Sequence, residues 1–143
     1  MGRNTNRIPK NQIYHNNILK DLANDLFSKG YIVKADHINW AYGAPIQFNG
    51  HVPDLIAIGE DGGKFIMEVE DCTTYSDEHT EQQLKAFTKV QGYTCYIIVP
   101  AVCNRDDKAY NTQNEVRTLL NNWGLPHVKI GLYDWDSKKI TYL

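Results

Sequence analysis

The stretch VPDLIAIGEDGGKFIMEVE, residues 52–70, decides the fold. Two apolar runs, 55–58 and 65–67, flank a cluster of Gly and Asp, a pattern that is typical of a β-hairpin. Both runs are too apolar for a surface hairpin and are typical of central strands covered on both faces. The stretch therefore predicts two antiparallel strands in the middle of a sheet, with a turn centred on Asp61.

Three acidic residues of this stretch are expected to share one face of the hairpin. With the turn centred on Asp61, Asp54 lies opposite Glu68, and opposed side chains point the same way. Because side chains alternate along a strand, Glu70 joins that face. A slip of one residue in the register would instead send Asp54 and Glu68 to opposite faces. Carboxylates crowded in this way either keep protons or bind a cation, and the cation is the simpler interpretation.

A divalent metal ion fits the pair of acids best. Mg²⁺ prefers oxygen ligands, usually one or two carboxylates together with waters and substrate phosphates. Asp54 and Glu68 offer such ligands, and Mn²⁺ is the expected substitute ion. The alternative is a solvated hairpin whose acids pair with Lys or Arg elsewhere in the chain.

These residues resemble the PD-(D/E)xK nuclease superfamily, whose pattern is Pro-Asp on one strand and an acid-x-Lys on the next. Pro53, Asp54 and Glu68 match it, whereas Glu70 stands where the pattern has Lys. The resemblance implies a restriction-endonuclease-like or Holliday-junction-resolvase-like core. It also implies that Asp54 and Glu68 are metal ligands, with the backbone carbonyl of Val69 as a third.

Glu70 leaves two interpretations open. Some restriction enzymes of the superfamily carry Glu at this position and remain active, whereas in other members loss of the Lys accompanies loss of catalysis. In an active enzyme Glu70 would hold a second metal ion or accept a proton from the attacking water. Lys64 lies too far along its strand to replace the missing Lys. Lys85 follows Glu81 by four residues, a spacing that favours an exposed ion pair.

The rest of the chain predicts an α/β fold with a central mixed β-sheet flanked by helices, in the order αβββαβαββ. Apolar residues at helical spacing and strand-like runs separated by Gly and Pro place the elements. Helices are expected at 13–29, 77–91 and 107–123, further strands at 31–40 and 94–102, and a closing hairpin turned at 136–138.

The helix after the hairpin carries one further candidate. Residues 83–87, Gln-Leu-Lys-Ala-Phe, resemble the Gln-x-x-x-Tyr element of RecB-like members of the superfamily, with Phe for Tyr. The resemblance implies that Gln83 orients groups at the catalytic site, and the alternative is an amide at the rim of the helix. Asp21 and Asp25 share a face of the first helix, but structural roles are favoured for them.

Length and charge bound the domain organisation. The 143 residues are the size of one domain, and the net charge of −2 argues against binding nucleic acid by charge alone. Basic residues precede the first acid, Asp21, whereas residues 54–81 carry nine acids and one Lys. We therefore expect a basic N-terminal arm, residues 1–12, and a single nuclease-like domain, residues 13–143. A solvated terminus explains the arm equally well.

Other sequence features concern the compartment and the thiols. The chain has neither a signal-peptide core nor an apolar run of membrane-spanning length, so a cytoplasmic protein with no membrane partner is expected. The three Cys are odd in number and form no CxxC pair, which predicts reduced thiols. The five His show no local zinc spacing.

The sequence thus favours a Mg²⁺-dependent nuclease that hydrolyses phosphodiester bonds, with DNA favoured over RNA, and a homodimer is kept open. One alternative is a catalytically inactive module of the same fold that binds nucleic acid or assembles with proteins. Another is a protein-interaction domain with an acidic surface hairpin.

Overall fold

A computed structural model describes residues 9–143 as an α/β fold with three helices and a mixed sheet. The basic arm expected over residues 1–12 falls largely outside the described residues, and its last four residues begin the first helix. In the described part of the chain, no helix is both long and apolar enough to cross a membrane.

The helices and strands alternate along the chain. The helices are α1 (Pro9–Ser28), α2 (Glu78–Thr88) and α3 (Gln113–Asn122). The strands are β1 (Ile32–Ala35), β2 (Leu55–Ile58), β3 (Lys64–Val69), β4 (Thr94–Pro100), β5 (Val102–Arg105), β6 (Lys108–Asn111), β7 (Lys129–Asp134) and β8 (Lys139–Tyr142).

Six strands form one sheet in the order β1-β2-β3-β4-β7-β8. The first three strands of this order pair antiparallel, β3, β4 and β7 pair parallel, and β8 returns antiparallel to β7. The parallel centre follows from the connections, because a helix crosses over between β3 and β4 and again before β7. The mixed sheet and the closing hairpin are therefore as predicted.

The hairpin has the predicted register. Leu55 pairs with Met67, and Ile58 pairs with Lys64, so opposed positions sum to 122. One residue beyond this ladder, the Asp54 backbone N–H donates to Glu68 Oε1, so the two acids lie together as the register predicts. This register brings the acids of the two strands together.

Helices cover both faces of the sheet. Apolar side chains of α1 pack against one face, and those of α2 and α3 pack against the other, which buries the central strands on both sides. The α1 side chains in this core are Ile18, Leu19, Leu22, Ala23 and Leu26, and the α2 and α3 side chains are Leu84, Phe87, Val116 and Leu120.

The start of the third helix differs from the prediction. A helix was expected from about residue 107, but α3 begins at Gln113 because residues 102–111 form the separate β5–β6 hairpin. Asp106 and Asp107 both adopt positive φ, 51° and 62°, as the two central residues of a tight hairpin turn do. Asp106 and Asp107, which the sequence placed near the start of a helix, therefore form a hairpin turn.

Three other elements are shorter than expected, and one of them, β4, covers Thr94–Pro100 rather than 94–102. The first strand covers Ile32–Ala35 rather than 31–40, because the chain turns directly after it and His37 adopts a positive φ of 66°. Helix α2 ends at Thr88 rather than near residue 91.

The prediction of reduced thiols is wrong for two of the three Cys. Cys72 and Cys103 form a disulfide, with their Cα atoms 5.8 Å apart, and Cys95 is a buried free thiol. The bond joins the segment after β3 to β5, which is the first strand of the hairpin that the sequence had not predicted. A pairing over 31 residues leaves no local spacing signal.

Candidate metal centre

Asp54 and Glu68 meet where β2 begins and β3 ends. Glu68 Oε1 accepts a hydrogen bond from the Asp54 backbone N–H at 2.8 Å, and Asp54 Oδ2 accepts one from the Val69 N–H at 2.8 Å. Each strand thus fixes the carboxylate of the other with a backbone donor. These charge-assisted bonds replace part of the hydration that the two carboxylates lose on burial.

Glu70 completes a cluster of three carboxylates. Its backbone N–H donates to Ile98 O at 2.9 Å, which holds the residue against β4 just beyond the end of β3. One carboxylate oxygen from each of Asp54, Glu68 and Glu70 lies within 4.8 Å of the others, as the alternation of side chains predicts. Oxygen donors at this separation suit Mg²⁺ or Mn²⁺.

The cluster is not a solvated surface feature. Asp54, Glu68 and Glu70 are 4%, 2% and 2% exposed. The alternative of an acidic hairpin on the surface is therefore wrong. Buried carboxylates are costly unless hydrogen bonds or a counter-charge compensate, so this arrangement needs positively charged or donor groups beside it.

Two His residues that no motif singled out lie against Asp54. His15 Nε2 is 3.1 Å from Asp54 Oδ2, and His37 Nε2 is 3.3 Å from Asp54 Oδ1. The two imidazole rings meet edge to face, with centroids 5.2 Å apart. His15, His37 and Asp54 also offer ligand atoms within 4.8 Å of one another. Asp54 is therefore shared between a carboxylate cluster and a His cluster.

Different parts of the chain position the two His residues. His15 lies on the buried stripe of α1, with Leu19 and Leu22 one and two turns further on. A polar side chain on an apolar stripe needs a partner, which is the sequence signal that could have identified it. His37 follows β1 in a left-handed turn, where Asp36 N–H donates to Asp54 O at 2.9 Å. No periodic pattern marks that turn in advance.

The His residues keep Asp54 ionised. Burial alone would raise the pKa of the Asp54 carboxyl group, but the charge and hydrogen bonds of His15, together with those of His37, outweigh it. The pKa of Asp54 is consequently held well below its usual range. An ionised carboxylate is the form that binds a metal ion.

The other residues predicted for the site are placed as follows. Val69 is the last residue of β3, and its role as a carbonyl ligand stays a prediction. Gln83 is buried on α2, so it is not an amide at the helix rim, and its orienting role stays a prediction. Lys85 Nζ lies 2.5 Å from Glu81 Oε2 in an exposed pair, which confirms the interpretation from the sequence.

Asp21 and Asp25 of the first helix make hydrogen bonds that hold α1 against the sheet. Asp21 accepts a hydrogen bond from the Tyr133 hydroxyl at 2.5 Å, and Asp25 accepts one from the Tyr142 hydroxyl at 2.7 Å. Both contacts attach α1 to the far strands of the sheet. The structural roles favoured for Asp21 and Asp25 are confirmed.

Fold and site together define an α/β domain in which Asp54 belongs to two groups of candidate metal ligands, one with Glu68 and Glu70 and the other with His15 and His37. No protein-family model matches the chain, and no curated protein matches it either.

Proposed function

We propose that the chain is a divalent-metal-dependent nuclease that hydrolyses phosphodiester bonds of DNA. Mg²⁺ is the proposed ion, with Mn²⁺ as its substitute. The observation that carries the proposal is the buried convergence of oxygens from Asp54, Glu68 and Glu70 within 4.8 Å. The resemblance of Pro53, Asp54 and Glu68 to the PD-(D/E)xK pattern supports the same chemistry. We place the fold with the restriction-endonuclease-like cores on the same ground.

Each acid has a defined part in this mechanism. Asp54 and Glu68 would hold the metal ion, with the backbone carbonyl of Val69 as a further ligand. An ion held there would supply Lewis-acid chemistry, polarising a phosphoryl oxygen and lowering the pKa of the attacking water. Glu70 either holds a second ion or accepts the proton that the water loses.

His15 and His37 position the central ligand. Their Nε2 atoms lie against different oxygens of Asp54, so they fix the orientation of its carboxylate as well as its charge. This is the role that hydrogen-bond partners of metal ligands usually have.

Metal-dependent nicking of supercoiled plasmid DNA tests the proposal. Asp54→Asn and Glu68→Gln should each lower the nicking rate in Mg²⁺ or Mn²⁺ by at least about a hundredfold, because each removes one ligand charge. Glu81→Gln is the matched control, since it neutralises a partly exposed acid outside the cluster. Nicking that persists in both site variants, or that needs no metal, would contradict the proposal. RNA of the same sequence should be cut more slowly than DNA.

A second candidate function is a catalytically inactive module of the same fold. It is favoured by the full engagement of Asp54, whose Oδ1 faces His37 and whose Oδ2 faces both His15 and the Val69 N–H. The replacement of the motif Lys by Glu70 points the same way. Calorimetric titration with Mn²⁺ separates the two functions, because a module without the metal site takes up no ion and nicks no plasmid.

A further inference from the structure

A cavity of about 320 Å³ opens between α1 and the segment that follows β3. Tyr14, Pro100 and Trp135 give it apolar walls. Asn11 and Thr73 lie on opposite walls, and the Asn11 amide donates to the Thr73 hydroxyl at 3.1 Å. The cavity is therefore a defined feature between two elements that are tied together.

Both walls of the cavity adjoin the candidate metal centre. Tyr14 directly precedes His15, whose ring contacts Asp54. On the other wall, Asp71 directly follows Glu70. The cavity is therefore lined by residues that directly neighbour those of the candidate metal centre along the chain.

Two exposed aromatic rings line the cavity. Trp135 and Tyr14 are 39% and 40% exposed, and their centroids are 5.4 Å apart at an interplanar angle of 69°. Trp135 also meets the ring of buried Tyr133 edge to face at 5.0 Å, which fixes its orientation. Exposed aromatic faces next to a cavity can stack on nucleobases of any sequence.

Positive charge surrounds the same rings. Trp135 also lines a second cavity, of about 360 Å³, together with Lys20 and Lys138. On the side of the first cavity, Lys10 Nζ lies 5.8 Å from the centre of the Tyr14 ring. Three lysines therefore border the aromatic pair, as in surfaces that bind a nucleic-acid backbone beside stacked bases.

Carboxylates that share this surface are engaged within the protein. Asp21 accepts a hydrogen bond from a Tyr hydroxyl of β7. Asp71 accepts from both the N–H and the hydroxyl of Thr73. Asp134 accepts from the backbone N–H of Asp136 at 2.9 Å. Their charges are thereby partly compensated. Asp136, next to Trp135, is exposed and lines a different cavity, whereas the cavity with Lys20 and Lys138 has Asp21 as its lining acid, so these two lysines are the partners for phosphate.

We propose that this surface binds single-stranded DNA, with one unpaired base stacked on the ring of Trp135 and bordered by Tyr14. The flanking phosphates lie against Lys20 and Lys138. The surface accepts a single strand because bases within a duplex are covered by their stacked neighbours and cannot present a face to the protein. The inference rests on the proposed nuclease function and narrows its substrate to single-stranded DNA, because the strand would reach Asp54 and its neighbours as an unpaired segment.

Binding of a labelled single-stranded oligonucleotide, followed by fluorescence anisotropy in EDTA, tests the inference without any cleavage. Trp135→Ala should weaken binding about 5- to 150-fold, as expected for the loss of one base stack. Trp135→Phe keeps an aromatic ring and should retain most of the affinity. Tyr42→Ala is the control, because Tyr42 is 55% exposed but stacks on Phe27. It should change nothing.

Further measurements keep the test decisive. Trp fluorescence should be quenched by the strand in the unaltered protein but not in Trp135→Phe, and Lys138→Glu should weaken binding with the rings intact. Equal affinity of the unaltered protein and Trp135→Ala, or equal affinity for blunt duplex and single strand, would overturn the inference. If Trp135-dependent binding holds while metal-dependent nicking is absent, the nuclease proposal fails and the binding surface stands.

Discussion

His15 Nε2 lies 3.1 Å from Asp54 Oδ2, although 39 positions separate the two residues along the chain. Both side chains are buried, so water screens their interaction far less than it screens a surface pair. The contact holds α1 against the point where β2 begins, and it joins the packing of the fold to the chemistry of the site.

A double-mutant cycle on this pair should show strong coupling. Replacing His15 by Leu and Asp54 by Asn, singly and together, should give a coupling free energy of about 1–3 kcal/mol. The exposed pair of Lys85 and Glu81 provides the comparison and should give about 0.3–0.5 kcal/mol. Urea unfolding of the variants measures both values. Equal coupling free energies in the two cycles would show that burial does not strengthen the interaction of His15 with Asp54.

Acid should remove the stabilisation that Asp54 provides. Since the folded protein holds the pKa of Asp54 below its ordinary value of 3.8, the unfolded chain binds more protons at acidic pH. The contribution of Asp54 is therefore present above that ordinary value and is lost as the pH falls through the lower folded one. The difference in free energy of unfolding between the unaltered protein and Asp54→Asn should narrow steadily as the pH falls from about 5 to about 2. A difference that stays constant over this range would contradict the assignment.

Thiol titration should distinguish the three Cys residues. Burial, and then the charge of Glu68, raise the pKa of the Cys95 thiol, so Cys95 should not react in the folded protein. In denaturant without reductant, one thiol per chain should react, because Cys72 and Cys103 are paired. Prior reduction should raise the number to three. Three reactive thiols in unreduced, denatured protein would show that the disulfide is absent.

Gly131 should accept a side chain only at a cost in stability unless its neighbour Ile98 is shortened. A Cβ atom at Gly131 would lie 2.5 Å from Ile98 Cδ1, in a fully packed region between β4 and β7. Gly131→Ala should therefore destabilise the protein by about 1–3 kcal/mol, since overpacking forces neighbours from their preferred positions. Ile98→Val deletes the clashing methyl group, so the double variant should be more stable than the two single effects predict. Thermal unfolding of the unaltered protein, the two single variants and the double variant measures these effects. If the two single changes in stability simply add in the double variant, the contact with Ile98 is not the source of the strain.

Local patterns made the core of the site predictable. The Gly and Asp turn fixed the register of β2 with β3, and the alternation of side chains then placed Glu70 with Asp54 and Glu68. This information lies within 19 residues of sequence, where geometry leaves few alternatives. The closing hairpin was predictable for the same reason.

Long-range contacts and ambiguous turns were not predictable. His37 reaches Asp54 only because the chain takes a left-handed turn after β1, which no periodic pattern marks. The Asp106-Asp107 pair is compatible with a helix start as well as with a tight turn. Pairing of β5 with β6 selects the turn. The pairing of Cys72 with Cys103 depends on that same hairpin, so one misassigned element concealed both features.

The attachment of α1 by Asp25 to Tyr142, 117 residues away, has a consequence for biosynthesis. During translation α1 leaves the ribosome long before β8, which carries Tyr142. Tyr133, the partner of Asp21, is likewise synthesised long after α1. A nascent chain therefore holds His15 on a helix that lacks both of these anchors. The attachment of α1 to the sheet is therefore complete only after Tyr142 has been synthesised.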